Sequence, residues 1–187
     1  MKTTTTLTHF LAALIITGIL FTVYACVQQT YRKAADDPQT QIARDISSRL
    51  NRNLAVDHLL PADTIEITED EGIFVQLYNS DRQLVMSTAQ LNKKEPQLPK
   101  GVFDNADKNG EAALSWEPQK GIREATIVVP VLSPQVAYVV AGRSLKETEI
   151  RESNLEKMIF ISFAISIGIV LIHWLIVIFS SKKKPVV

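Results

Sequence analysis

The stretch "AYVVAGRSLKETEIRESNLEKMIFISFAISIG", Ala137–Gly168, decides the architecture. A β-branched run ends at Gly142-Arg143, a charged helical pattern takes over, and that pattern enters an apolar segment with no glycine or proline between. Ser144 and Glu147 have capping-box spacing, which predicts where the helix begins. Glu147 and Arg151 form an i,i+4 pair in the favourable order. The spacing therefore predicts a strand that hands over to one rigid helix, 144–157, leading into a membrane span.

Two segments are long and apolar enough to span. Phe10–Val27 and Met158–Phe179 contain no Asp, Glu, Lys or Arg. At a rise of 1.5 Å per residue they reach about 27 and 33 Å, against about 30 Å of hydrocarbon. The formal charge of the chain is zero, yet its distribution is uneven. All 20 acidic residues lie between the two apolar segments, with 16 of the 20 Lys and Arg, while Lys2 and Lys182–Lys184 sit at the extremes. Positive ends place both termini in the cytoplasm and residues 28–157 outside. Zero net charge argues against nucleic acid as a partner. A cleaved secretory signal, or lipidation at Cys26 in "VYAC", competes for the first segment. The tyrosine before the alanine and the length of the apolar run favour an uncleaved anchor. Cys26 is the only cysteine, so the outer domain has no intrachain disulfide and depends on its core.

Between the spans, Asp37-Pro38 reads as a helix start. Ile42, Ile46, Leu50 and Leu54 make one apolar stripe that packs on a sheet or on a second copy. Phe74–Tyr78 and Leu84–Met86 read as a hairpin about Asn79–Arg82. Pro99 and Gly110 bracket a short helix, "EAALSWE" is a strand, and "REATIVVPVLSPQVAYVVAGR" is a strand pair hinged at Ser133-Pro134-Gln135. Pro130 cannot donate to a ladder, which predicts an edge or a bulge there. The order suits an α+β domain of PAS-like type, a five-stranded antiparallel sheet with helices on one face, over 28–143.

Several phrases resemble bacterial membrane sensor histidine kinases, in the extracytoplasmic sensor segment and its flanking spans: "DDPQTQIARDISSRL", "SWEPQKGIREATIVVPV" and "AYVVAGRSLKETE". The resemblance covers roughly residues 7–180 and implies a PAS-like or Cache-like outer domain whose signal passes through the second span, as in two-component systems. No kinase region follows in this sequence. The expectation is therefore a sensor acting on a separate membrane partner, a kinase or transporter, in a bacterial inner membrane; the rival is a structural or interaction subunit, or an orphan fragment of a sensor kinase.

Chemistry is sparse. No two glycines lie close enough for a phosphate loop, and there is no G-x-S-x-G. His9, His58 and His173 do not make a phospho-acceptor site. One outer histidine and no outer cysteine exclude a zinc site, and Asp104 with Asp107 lack the distal glutamate of a calcium loop. No enzyme, metal or cofactor is expected. Trp116 and Arg123 flank "EPQKGI" and are the candidates for binding a small ligand, read as an organic anion held by an aromatic ring and a guanidinium. Each also has a plain reading, Trp116 as core and Arg123 as a surface ion-pair partner. Arg143, with Glu147 and Arg151, is the candidate for coupling sheet to helix, pairing with an acid such as Asp37. Small residues four apart, Gly18 with Thr22, Ser162 with Ser166 and Ala164 with Gly168, permit close approach of spans in a homodimer. The tail 180–187 is basic and too short to be an output module.

Overall fold

The structure is a computed structural model that describes residues 2–52, 60 and 63–181. Leu54, His58 and the lysines of the tail lie outside the described residues. Two compact units are present: one made by residues 1–31 with 150–187, the other by residues 32–149.

In the first unit, helices α1 (Lys2–Asn51) and α3 (Lys146–Ser181) supply apolar stretches long enough to cross a membrane, and neither stretch is buried within the chain. They meet at two polar points. Tyr24 donates to Glu156 Oε1 at 3.0 Å. His9 and His173 share a 2.8 Å hydrogen bond, their rings stacked with centroids 5.0 Å apart. The hydroxyls of Thr22, Ser162 and Ser166 bond back to carbonyls of their own helices, at Gly18, Met158 and Ser162. Nothing lies within 4 Å of a side chain built at Gly18 or Gly168. The small residues therefore make no close helix crossing within one chain.

Helix α1 corrects the expected start at Pro38, because the helix runs through that proline without a break. Proline offers no N–H and its ring crowds the preceding turn, which ordinarily breaks or kinks a helix. The two carbonyls that follow Ala34, the residue whose carbonyl the Pro38 position would ordinarily bond, each take a side-chain donor. Gln39 Nε2 donates to Ala35 O at 2.6 Å and Thr40 Oγ1 to Asp36 O at 2.6 Å.

The second unit is α+β. Strands β1 (Ile65–Glu66), β2 (Ile73–Tyr78), β3 (Leu84–Ser87) and β4 (Ala89–Gln90) precede helix α2 (Gly101–Asn109). Strands β5 (Ala112–Gln119), β6 (Ile122–Pro130) and β7 (Tyr138–Ser144) follow. The main sheet is antiparallel in the order β3-β2-β7-β6-β5, and β1 pairs parallel with β4 beside it. The short helix ends where expected, at Gly110, whose φ of 82° is the left-handed cap that glycine adopts without penalty. Pro130 is not on an edge strand, since β6 lies between β7 and β5. It is the last residue of β6, two beyond Val128, where β5 begins its pairing at Ala112. A missing donor at that point leaves no ladder bond unmade.

Helices cover both faces of the sheet, not one. Ala43, Ile46 and Leu50 of α1 pack on Val75, Leu77, Ile127, Val129, Val139 and Ala141. On the opposite face Phe103 and Ala106 of α2 join Phe74, Tyr78, Trp116, Val128 and Val140. Of the expected stripe, Ile46 and Leu50 are thus buried on the sheet and Ile42 is partly buried. Arg44, beside it, reaches Glu111 with two hydrogen bonds of 2.6 and 3.1 Å, which hold the Glu111 carboxyl below its usual range.

Candidate functional site

On the α2 face, strands β5 and β6 close through a two-residue turn, Lys120-Gly121, with Gly121 at φ 84°. The ladder is irregular between Trp116 and Gln119, which accommodates Pro118 without demanding a donor from it. Glu117 Oε1 accepts the Gly121 N–H at 2.7 Å and fixes the turn. "EPQKGI" is therefore mostly strand. Facing it is the segment 91–99, and the two enclose a cleft of about 710 Å³ lined by Leu91, Asn92, Pro96, Pro99, Trp116 and Pro118, with Lys94, Glu95 and Glu117 at its charged edge.

A buried polar network anchors the far wall of this cleft. Gln76 Nε2 donates to Pro96 O at 2.6 Å, and Tyr78 donates its hydroxyl hydrogen to Gln76 Oε1 at 3.1 Å while accepting the Leu98 N–H at 3.1 Å. Burial pushes the Tyr78 phenol up to about 12. Phe103 contacts Tyr78 and Tyr138 in turn, each pair tilted with ring centroids 4.9 Å apart. Asp104 and Asp107, the faint calcium pattern, sit on α2 instead of in a loop. Asp104 pairs with Arg82, and Asp107 accepts the Tyr138 hydroxyl at 3.0 Å. No group of three metal-binding side chains exists among the described residues.

Trp116 and Arg123 are not brought together. Trp116 pairs across the ladder with Glu124, so Arg123 projects to the other face of the sheet. Trp116 is 6% exposed and meets Phe74 edge-on at 6.1 Å, so it is a core residue that also lines the cleft. Arg123 donates from Nη1 to Glu149 Oε1 of α3 at 2.7 Å, and its carbonyl accepts the Leu145 N–H at 2.8 Å. Arg143 lies 3.5 Å from Glu147 and donates to Glu71 O at 3.4 Å. Its acid is thus one turn along α3 and not Asp37. Ser144 Oγ accepts the Lys146 N–H at 3.3 Å, a shorter closure than the expected bond to Glu147. Two arginines from adjacent strands thus grip the first turns of α3.

Glu124 is the residue that sequence reasoning missed. It is 1% exposed, its Oε1 has no hydrogen-bond partner, and burial pushes its carboxyl up to about 8. The signal was available in strand parity: Glu124, Thr126 and Val128 alternate with Arg123, Ala125 and Ile127, and the first set includes the buried Val128 that packs with Trp116.

Compared with protein-family models and with curated proteins, the chain matches none.

Proposed function

We propose that this chain is a two-span membrane protein whose outer domain is a PAS-like sensor that binds a small ligand and passes the change through α3 to a separate membrane signalling partner. In this reading both termini are cytoplasmic and residues 28–157 are extracytoplasmic; the chain itself catalyses nothing. The observation that carries it is the fastening of β6 to α3. Arg123 holds Glu149 by its side chain and Leu145 by its carbonyl, one position away from Glu124, the cross-strand neighbour of Trp116 in the cleft wall. Two residues, Glu124 and Arg123, thereby link Trp116 to the helix that leads to the second apolar stretch. The sheet order, with the first and last of its strands, β2 and β7, side by side, supports the PAS-like type.

A second reading has its own observation: Trp116 is almost fully buried against Phe74, as in a filled core that only docks a partner. In-cell crosslinking from α1 and α3, read by mass spectrometry, separates the two. Recovery of a kinase or transporter whose activity responds to Arg123→Glu supports the sensor. Recovery of a partner whose activity does not respond to Arg123→Glu supports the docking reading, and recovery of this chain alone supports an orphan domain.

A further inference from the structure

A carboxyl side chain buried without a hydrogen-bond partner is costly to the fold, and where one persists the groups around it show what it is suited to. Glu124 lies in the ladder between Trp116 of β5 and Ser144 of β7. The next row of the same face holds Leu114, Thr126, Gly142 and Phe74. The tip of the Phe74 ring lies so close to Gly142 that a Cβ there would overlap it, and the ring meets Trp116 edge-on. A buried carboxyl with an unused oxygen therefore sits across the ladder from Trp116, whose ring meets Phe74 and walls the open cleft, while Glu124 and Phe74 lie behind that wall.

Aromatic faces attract cations, and a buried carboxylate supplies the matching charge. The charged groups of this neighbourhood favour a cation over an anion. The guanidinium expected beside Trp116 is on the opposite face and engaged with Glu149. The cleft edge carries two carboxylates, Glu95 and Glu117, against one ammonium, Lys94.

We propose that the Trp116 cleft takes a small organic ammonium ion, whose charged nitrogen is received by Glu124 when Trp116 swings aside, with the ring faces of Trp116 and Phe74 packed against it. This rests on the sensor reading and specifies its ligand class. The proton balance is simple. At neutral pH Glu124 holds a proton, so an arriving ammonium converts the carboxylic acid to carboxylate and the displaced proton goes to solvent. Burial of the carboxyl as an ion then has a counter-charge. The movement of Trp116 and Glu124 is felt at Arg123, the adjacent residue on β6, and through it at Glu149 of α3.

The test uses the full chain in lipid nanodiscs, carrying Trp174→Phe so that Trp116 is the only tryptophan. Methylammonium, tetramethylammonium and benzylamine are titrated against benzyl alcohol as the uncharged counterpart, by Trp116 fluorescence and by calorimetry in two buffers of different ionisation enthalpy. The expected result is saturable binding of at least one ammonium, at least tenfold tighter than the alcohol, with proton release. Its affinity rises by about tenfold per pH unit from pH 6 towards 8. Glu124→Gln loses the ammonium preference and the proton release, while it keeps the circular dichroism of the parent and melts no lower. Silence of all three ammonium probes, equal affinity for benzylamine and benzyl alcohol, or unchanged binding by Glu124→Gln overturns the proposal. A captured kinase or transporter that still responds to Arg123→Glu would then leave the sensor reading standing with a different ligand class.

Discussion

The two faces of the sheet are built on different principles. Against α1 the buried sheet residues are all aliphatic: Val75, Leu77, Ile127, Val129, Val139 and Ala141. Against α2 the same strands bury Gln76, Glu124 and Thr126 among Phe74, Tyr78 and Trp116. Aliphatic packing is non-directional and tolerates no function beyond cohesion. Buried polar groups are costly unless bonded, and where bonded they fix one geometry. Gln76 and Tyr78 are the bonded kind, and Glu124 is the unbonded kind. One face holds the domain together, and the other carries its chemistry.

That contrast can be broken from the aliphatic side first. Leu50→Ala leaves a cavity between α1 and the sheet and should destabilise the α+β unit by about 2–5 kcal/mol, read by denaturant unfolding of that unit's signals. A comparable loss from Phe103→Ala would be unremarkable, whereas a negligible loss at Leu50 would remove the structural role assigned to that face.

On the polar face, pH is the sharper probe. The folded-state pKa of Glu124 lies at about 8, above its ordinary 4.5, so between these values the native state holds a proton that the unfolded chain does not. The stability this group contributes is complete below about pH 4.5 and is lost as pH rises to about 8, at a slope of up to about 1.4 kcal/mol per pH unit. Glu124→Gln should flatten that part of the stability–pH curve; an unchanged curve would mean that the carboxyl is solvated.

Gly142→Ala tests the closeness of Phe74. Overpacking there should cost about 1–3 kcal/mol and shift Trp116 fluorescence, since Phe74 touches both positions. The smallest expected stability change is at Arg123→Ala. Both partners of its ion pair are about half exposed, so thermal unfolding should register about 0.2–1 kcal/mol. Its larger effect should be on any response read through α3, and the exchange Arg123→Glu with Glu149→Arg should restore that response. Failure of the exchange would place the coupling elsewhere in the junction.

Strand and helix periodicities in the sequence were enough to locate α2, the hairpin of β2 and β3, the long strands and both apolar stretches, because each rests on local signals. Pro38 shows the limit of that approach. Asp-Pro starts a helix when the chain before it is not already helical, but here the preceding apolar stretch is helical and continues, and Gln39 and Thr40 engage carbonyls around the defect. The parallel pairing of β1 with β4, two residues each, has no periodicity to detect. At the site, Trp116 and the Arg143–Glu147 neighbourhood were legible, whereas the partner of Arg123 lies 26 residues downstream and follows only from the β6–β7 register. Glu124 was hidden by habit: a lone glutamate beside an arginine reads as surface, and only cross-strand register shows that it faces Trp116.

The clamp on segment 91–99 has a consequence on the timescale of hydrogen exchange. The Leu98 amide donates to a side-chain oxygen, Tyr78 Oη, and that phenol is itself buried and bonded to Gln76. Isotope exchange at Leu98 therefore requires the tyrosine to leave the core, which couples this one loop amide to opening of the sheet and not to local fraying. A slow amide in a mostly exposed segment would serve as a clock for the interior, distinct from the loop's own bonded amides at Leu91, Asn92 and Lys94.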